Sequence, residues 1–120
     1  MKRSVMEKLF SVLLCCLISA PAWALANFKL NNVETKPGEI NSYFVEKGNV
    51  NLPVTVIQGK QEGPVLLLTA GIHGDEFPAM FALQRLKNEI DAKKLKGTVV
   101  IVHLANLAGF HERRIALSPM

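Results

Sequence analysis

Residues 65–76, with the sequence VLLLTAGIHGDE, place an uninterrupted apolar run directly before a short polar loop that contains two glycines. The apolar part, residues 65–70, does not alternate with polar positions, which is typical of a strand buried on both faces of a sheet. In the loop that follows, Asp75 is the predicted N-cap of a helix, and Pro78 would lie in its first turn. This stretch therefore predicts a strand that leads through a tight loop into a helix.

The segment after the loop completes a strand–helix–strand unit. Four apolar residues recur at helical spacing and predict a buried helix face, in a helix that reaches about residue 91: Ala79, Leu83, Leu86 and Ile90. A second continuous apolar run, residues 98–104, predicts another buried strand. Two strands joined by a helix form a βαβ unit with parallel strands. Beyond it, residues 105–110 have no periodic pattern and are predicted to form a loop.

The segment before residue 63 has the features of an antiparallel hairpin. Residues 42–46 and 51–58 are rich in β-prone side chains and are separated by a Lys-Gly-Asn turn. Pro53 has no N–H for a ladder, so we expect it at a strand start or on an edge. Residues 27–38 are polar, with a Pro-Gly turn, and no strand is predicted there. The fold class predicted from these patterns is α/β, with an N-terminal β-hairpin and one βαβ unit.

The first 26 residues have the composition of a secretory signal peptide. A basic start is followed by twelve uncharged, mostly apolar residues, 9–20, and then by the small-residue pattern Ala24-Leu25-Ala26. A membrane-spanning helix needs about 20 apolar residues, so this run is short for that role. We expect cleavage after Ala26 and a secreted or periplasmic protein; an uncleaved N-terminal anchor is the alternative. Membrane contact is then expected only through the signal peptide during export.

Residues 27–120 have a composition that excludes some partners. These 94 residues hold 11 Lys and Arg against 9 Asp and Glu, a net charge of +2 compared with +4 for the 120-residue chain. Both cysteines lie in the predicted signal peptide, so no disulfide is expected after it. There is no arginine-rich stripe with interleaved aromatic residues, and nucleic acid is therefore not expected as a partner. The length allows one small domain.

His73 and Glu76 are the candidate metal ligands of the loop. Ligands of open α/β sheets bind beyond the carboxyl ends of the strands, where this loop lies. Imidazole nitrogen and carboxylate oxygen both bind zinc, and a catalytic zinc uses three protein ligands and a water molecule. The alternative is that Asp75 and Glu76 only favour the start of the helix, through the helix dipole, and that His73 is a polar loop residue.

The motif resembles that of a known family. Residues 63–76 (GPVLLLTAGIHGDE) look like the first zinc-binding motif of the succinylglutamate desuccinylase/aspartoacylase family, which is related to the zinc carboxypeptidases. The resemblance continues through residues 95–102 (LKGTVVIV) to residues 106–110, where Leu107 replaces the proline of the family's usual Asn-Pro. It covers roughly residues 52–119. The resemblance implies a zinc-carboxypeptidase-like mixed sheet flanked by helices, of which residues 27–120 would form a truncated N-terminal part.

The resemblance also implies roles for individual residues. His73 and Glu76 correspond to the first two ligands of one Zn²⁺ ion. Arg113 would bind substrate, by polarising a carbonyl or holding a carboxylate, although a solvated charge is the alternative. The family's third ligand, a histidine, its catalytic glutamate and its Asn-Arg clamp all lie further along, so no catalytic residue is expected within this chain. His103, His111 and Glu112 are the local residues that could substitute; His103 is rather expected to be a hydrogen-bonded core or strand-end histidine.

The function implied by the resemblance is that of an exported zinc-dependent hydrolase. It would act on amide bonds of small N-acyl amino acids or short peptides, as a deacylase or carboxypeptidase does, and the 120-residue chain alone is expected to be inactive. Two alternatives remain. The chain could be a catalytically inactive fragment, or a small non-enzymatic binding module that covers its open sheet by oligomerisation.

Overall fold

The computed structural model describes residues 25–112, so most of the predicted signal peptide and Arg113 lie outside the described residues. The described part contains a two-stranded sheet, formed by β1 and β2, and a four-stranded sheet with the strand order β3-β4-β6-β5. The elements are β1 (Phe28–Leu30), β2 (Val33–Thr35), β3 (Ile40–Lys47), β4 (Val50–Gln58), β5 (Gln61–Thr69), α1 (Phe77–Glu89), β6 (Lys96–Val102) and α2 (Leu107–Glu112).

The predicted hairpin is confirmed in β3 and β4. The two strands are antiparallel, in a register that pairs Ile40 with Ile57 and Lys47 with Val50. The expectation for Pro53 is wrong, because it lies inside β4, which is an interior strand. The strand tolerates it because the pairing of β4 with β6 begins only at the next residue, Val54. The missing N–H of Pro53 therefore does not interrupt that ladder.

The predicted βαβ unit is also confirmed. β5 and β6 are parallel and pair from Val65 opposite Thr98 to Thr69 opposite Val102, with α1 between them in the chain. Because β4 pairs with β6 in the antiparallel sense, the sheet as a whole is mixed. The carboxyl ends of β5 and β6 share one edge of the sheet, and the chain leaves that edge through the loop of residues 71–76.

The expected burial of both parallel strands is correct for β6 and wrong for β5. In β6 the five residues 97–101 are buried. β5 is an edge strand, and Val65, Leu66 and Leu67 are 57%, 53% and 61% exposed. Its apolar run does suit burial, but within the described residues no element covers it. We refer to the exposed side chains of residues 65–67 as the β5 surface.

The core consists of two clusters on opposite faces of the sheet, because successive residues of a strand point to opposite sides. On one face, Leu83 and Ile90 from the α1 side pack against Ile57, Val99 and Ile101. On the other face, Phe28 and Leu30 of β1 pack against a cluster formed by β4 and β6, and the buried residues of that cluster are Val54, Val56 and Val100.

The hairpin formed by β1 and β2 was not predicted from the sequence. Its attachment depends on Gln58, whose side-chain oxygen accepts a hydrogen bond from the Phe28 N–H at 2.7 Å and whose amide group donates to the Ala26 carbonyl at 2.7 Å. Three-residue strands carry almost no periodic signal. The contact partner lies about 30 residues away, so local composition could not reveal it.

The helices differ from the predictions mainly at their starts. α1 begins one residue late, because Glu76 rather than Asp75 is its N-cap residue; Pro78 lies in the first turn as expected. Of the predicted buried face, Leu83, Leu86 and Ile90 are half-buried and Ala79 is exposed. The predicted loop at residues 105–110 is wrong, because α2 begins at Leu107. None of the helices in residues 25–112 is long and apolar enough to cross a membrane.

Substituting Leu67 with lysine is expected to reduce self-association of the chain. An exposed, apolar edge strand offers both unpaired backbone groups and apolar area to a second copy, and an edge lysine opposes such pairing. Sedimentation velocity should show the parent self-associating and Leu67→Lys shifted toward monomer, with a similar thermal unfolding temperature. Phe81→Lys, an exposed apolar position on α1, is the matched control. A parent that is monomeric with a sharp thermal transition would contradict this prediction.

Candidate metal centre

His73 and Glu76 lie together at the carboxyl end of β5. The Nδ1 atom of His73 is 2.8 Å from the Oε1 atom of Glu76, and the two side chains are 50% and 39% exposed. An ionised carboxylate only accepts hydrogen bonds, so this contact places the imidazole proton on Nδ1. The structure therefore brings the two predicted ligands to one accessible point.

The Glu76 carboxylate is held by the backbone of its own loop. Its Oε2 atom accepts hydrogen bonds from the Ile72 N–H at 3.0 Å and the His73 N–H at 3.2 Å. The hydrogen bond from the His73 side chain, followed by that from its backbone N–H, lowers the pKa of Glu76 below its usual value. The carboxylate is therefore ionised at neutral pH and keeps Oε1 directed at the imidazole.

The two glycines of the loop, Gly71 and Gly74, have different structural roles. Gly71 has a φ of +65°, which favours glycine where the chain leaves β5. Gly74 is buried against α2, and a β-carbon there would overlap the carbonyl of Gly109. Gly71 therefore serves the turn of the chain, and Gly74 serves close packing.

The donor chemistry of this pair fits zinc. A neutral imidazole nitrogen and an ionised carboxylate oxygen are both ordinary zinc ligands, and here the two side chains are in contact. His73 and Glu76 would hold the ion together, with the ligating imidazole nitrogen unprotonated. Within residues 25–112, no group of three or more His, Cys, Asp and Glu side chains could hold a metal ion. The metal role of His73 and Glu76 stays a prediction.

His103 is a core residue, as expected, but only one of its ring nitrogens is hydrogen-bonded. It is 8% exposed, and its Nε2 atom lies 2.8 Å from the Thr55 hydroxyl, which in turn lies 2.7 Å from the Ser42 hydroxyl. The Nδ1 atom is buried without a partner. Burial, followed by the positive charge of Lys87, lowers the pKa of His103 below its usual value.

The free energy of unfolding is expected to fall as the pH drops below about 6.5, the ordinary pKa of histidine. In the unfolded chain His103 binds a proton near that pH. In the folded protein His103 stays unprotonated until the pH falls to its lowered pKa. The unfolded state then binds more protons, which favours unfolding. Urea unfolding between pH 5 and 8 should show this slope for the parent and a shallower slope for His103→Gln. Equal slopes in the two proteins would contradict the assignment.

Within the described residues, the other predicted substitutes do not form a three-ligand group with His73 and Glu76. His111 lies in α2, with its ring in edge contact with Phe110 at 5.9 Å, and Glu112 is exposed at the end of the same helix. Arg113 is the first residue beyond the described part, so its predicted substrate role stays a prediction.

Asn106 is the residue of this region that sequence reasoning left without a role. It immediately precedes α2, and its side chain contacts both the helix and the loop. An asparagine directly before a short helix is a common capping signal. Because residues 105–110 have no periodic pattern, the sequence did not indicate the helix, and Asn106 could not be recognised as its cap.

The fold is that of the succinylglutamate desuccinylase/aspartoacylase proteins. A solved succinylglutamate desuccinylase/aspartoacylase from Rhodobacter sphaeroides superposes with a TM-score of 0.55 and 26% identity, covering 67% of this chain and 27% of that one. An aspartoacylase family protein from Mesorhizobium loti superposes with a TM-score of 0.52 and 28% identity, covering 77% and 32%.

The family resemblance predicted from the sequence is confirmed. Residues 62–116 match the succinylglutamate desuccinylase/aspartoacylase catalytic domain, and this segment contains His73, Glu76 and Asn106. A curated relative, the N-alpha-acetyl-L-2,4-diaminobutyric acid deacetylase of Halomonas elongata, is 46% identical over 59 residues. That alignment covers 49% of this chain but only 17% of the relative. The chain therefore spans only a minor share of its relatives' length.

Proposed function

We propose that residues 27–120 are the N-terminal part of the catalytic domain of an exported zinc-dependent hydrolase. It acts on amide bonds of small N-acyl amino acids or short peptides. The observation that carries this proposal is the meeting of His73 Nδ1 and Glu76 Oε1 at the carboxyl end of β5, within the segment that matches the family. Export rests on the signal-peptide pattern of residues 1–26, with cleavage after Ala26.

His73 and Glu76 would supply two of the three protein ligands of one zinc ion. Bound zinc lowers the pKa of a water molecule and polarises the carbonyl to be attacked. Within this chain, Glu76 contributes a carboxylate that its hydrogen bonds keep ionised, and His73 contributes a nitrogen whose direction that carboxylate sets. Arg113 holds the substrate's carboxylate or polarises its carbonyl. The third ligand and the catalytic base come from outside this chain.

The substrate class is supported by the relatives and by the space beside the loop. The Halomonas elongata relative is named as a deacetylase of an N-acetylated diamino acid. A cavity of about 420 Å³ adjoins the loop and is lined by Gly74, Asp75, Phe77, Phe110 and His111. This volume is in the range of small-molecule sites, but neither His73 nor Glu76 lines the cavity, so the main support for the substrate class comes from the relative. A small N-acyl amino acid is therefore the substrate class that we propose.

The test compares this chain with the longest polypeptide that its gene encodes when read past codon 120. Both are incubated with zinc and N-alpha-acetyl-L-2,4-diaminobutyrate, and acetate release is measured. We expect release only from the longer polypeptide, and its loss in His73→Ala. The 120-residue chain should bind zinc more weakly than about 1 μM, because two ligands hold the ion incompletely. Tighter one-to-one binding by this chain, lost in His73→Ala, would show that a local residue completes the site.

The exposed β5 surface favours a second candidate, a small binding module that buries this surface in an oligomer. Such a module would form an oligomer with a sharp thermal transition, and it would be indifferent to zinc. A natural stop at codon 120 would also favour the module or an inactive fragment. An Asp-Gly string followed by Leu-Asn-Arg in the downstream coding sequence would favour the hydrolase.

A further inference from the structure

We propose that Asn106 is a positioning residue for the His73–Glu76 pair. The role in metal binding rests on the proposed function, whereas the role in holding the loop does not. Asn106 follows β6 and lies about 30 residues beyond the loop in sequence. Its backbone N–H donates to the Gly71 carbonyl at 2.8 Å, and its side-chain amide donates to the Ile72 carbonyl at 3.3 Å. The two carbonyls directly before His73 are thus both held by one residue.

The other end of the same side chain is fixed to α2. The Oδ1 atom of Asn106 accepts a hydrogen bond from the Gly109 N–H at 2.8 Å, and its backbone carbonyl accepts one from the Phe110 N–H at 3.1 Å. Among uncharged side chains, an amide offers a donor and an acceptor on separate atoms. Asn106 therefore links the loop to the start of α2 through the two ends of one planar group.

Close packing between the loop and α2 supports this link independently. Gly74, which lies between His73 and Glu76 in the chain, is in contact with the backbone of Gly109 and Phe110, and it has no room for a β-carbon. The first turn of α2 is therefore the surface on which the loop rests. Asn106 both caps that turn and holds the residues that lead into His73. Its amide group therefore fixes the position of the backbone from which the imidazole of His73 extends.

The experiment separates capping from positioning with two substitutions in the full chain. Asn106→Ser keeps a capping oxygen and lacks the amide donor, whereas Asn106→Ala lacks both. Amide hydrogen exchange is measured by NMR at Ile72 and His73, which report on the loop, and at Gly109, which reports on the cap. Asn88→Ser, on the exposed side of α1, is the matched control.

The N–H groups of Ile72 and His73 donate to Glu76 Oε2, so their exchange reports on whether the loop keeps its shape once the Ile72 carbonyl loses its Asn106 partner. In Asn106→Ser we expect this exchange to rise roughly threefold to tenfold, while Gly109 stays protected. Asn106→Ala should lose protection at all three amides, and Asn88→Ser at none. Unchanged exchange at Ile72 and His73 in Asn106→Ser would overturn the proposal and leave Asn106 as a cap. If Asn106→Ala fails to fold, the serine variant still decides the question.

Zinc titration of the same proteins gives the second readout. We expect zinc to bind Asn106→Ser more weakly than the parent at equal thermal stability, whereas Asn88→Ser binds as the parent does. Equal zinc affinity of Asn106→Ser and the parent would overturn the role in metal binding. Failure of the parent to bind zinc even at millimolar concentration would contradict a zinc site at the His73–Glu76 pair, and the exchange data would still decide whether Asn106 holds the loop.

Discussion

Replacing Gly74 with alanine is expected to force the loop of residues 71–76 away from α2 and to lower the thermal unfolding temperature by roughly 10–20 °C. The added methyl group would meet the backbone of Gly109 and Phe110, which cannot move aside as a flexible side chain could. Because the loop carries His73 and Glu76, zinc binding should weaken in the same variant. Thermal unfolding by circular dichroism and a zinc titration measure the two effects.

The matched control for this prediction is Gly48→Ala. Gly48 lies in the turn between β3 and β4, has nothing within 4 Å of an added β-carbon, and has a φ of +58°. We expect it to lose roughly 4–8 °C through backbone conformation alone, with zinc binding unchanged. If Gly74→Ala unfolds no earlier than Gly48→Ala, the contact between the loop and α2 is not as close as the structure shows.

The second large effect is expected for Glu76→Gln, which should weaken zinc binding at least about tenfold. The unfolding temperature at pH 7 should fall slightly, because the hydrogen bonds to an ionised carboxylate are lost. Glutamine keeps an oxygen for the N–H groups of Ile72 and His73, but its NH2 group only donates and cannot accept the hydrogen bond from Nδ1 of His73. The negative charge that zinc needs is lost. Isothermal titration with zinc at pH 7 measures the affinity of parent and variant.

The pH dependence of Glu76 provides a further check on the same variant. The pKa of this carboxyl is lowered in the fold, so its contribution to stability is present above its ordinary pKa of about 4.5 and is lost as the pH falls through the folded value. Glu76→Gln should lack this acid-dependent loss. Glu89→Gln, an exposed carboxylate paired with Arg85, is the control and should keep it. An equal loss of zinc affinity in Glu89→Gln would indicate that zinc responds to the net charge of the protein, and it would contradict a site at Glu76.

The contact between the two candidate ligands could be predicted from the sequence because its determinants are local. His73 and Glu76 are three residues apart in a loop whose position after an apolar strand is evident from periodicity, and the structure places them 2.8 Å apart. Asn106 could not be assigned in this way. Its contact with Ile72 spans 34 residues, and it depends on β5 and β6 lying side by side.

The errors in the predicted fold have a common physical origin. A continuous apolar run such as residues 65–70 indicates that a strand suits burial, but not that a covering element is present, and β5 is exposed. The pairing of β4 with β6 makes Pro53 part of an interior strand. This pairing joins segments that are distant in sequence, so local β-propensity does not predict it. The pairings within the β3–β4 hairpin and the βαβ unit were predictable, whereas the pairing of β4 with β6 was not.

The most direct test of the account is a zinc titration of the chain followed by NMR of its histidine side chains, His73, His103 and His111. The account predicts that the ring signals of His73 change as zinc is added, that the change requires Glu76, and that the buried His103 is unaffected. A response at His111 or His103 with His73 unchanged, or no response at His73 at millimolar zinc, would show that the imidazole and carboxylate at the end of β5 do not bind the ion together.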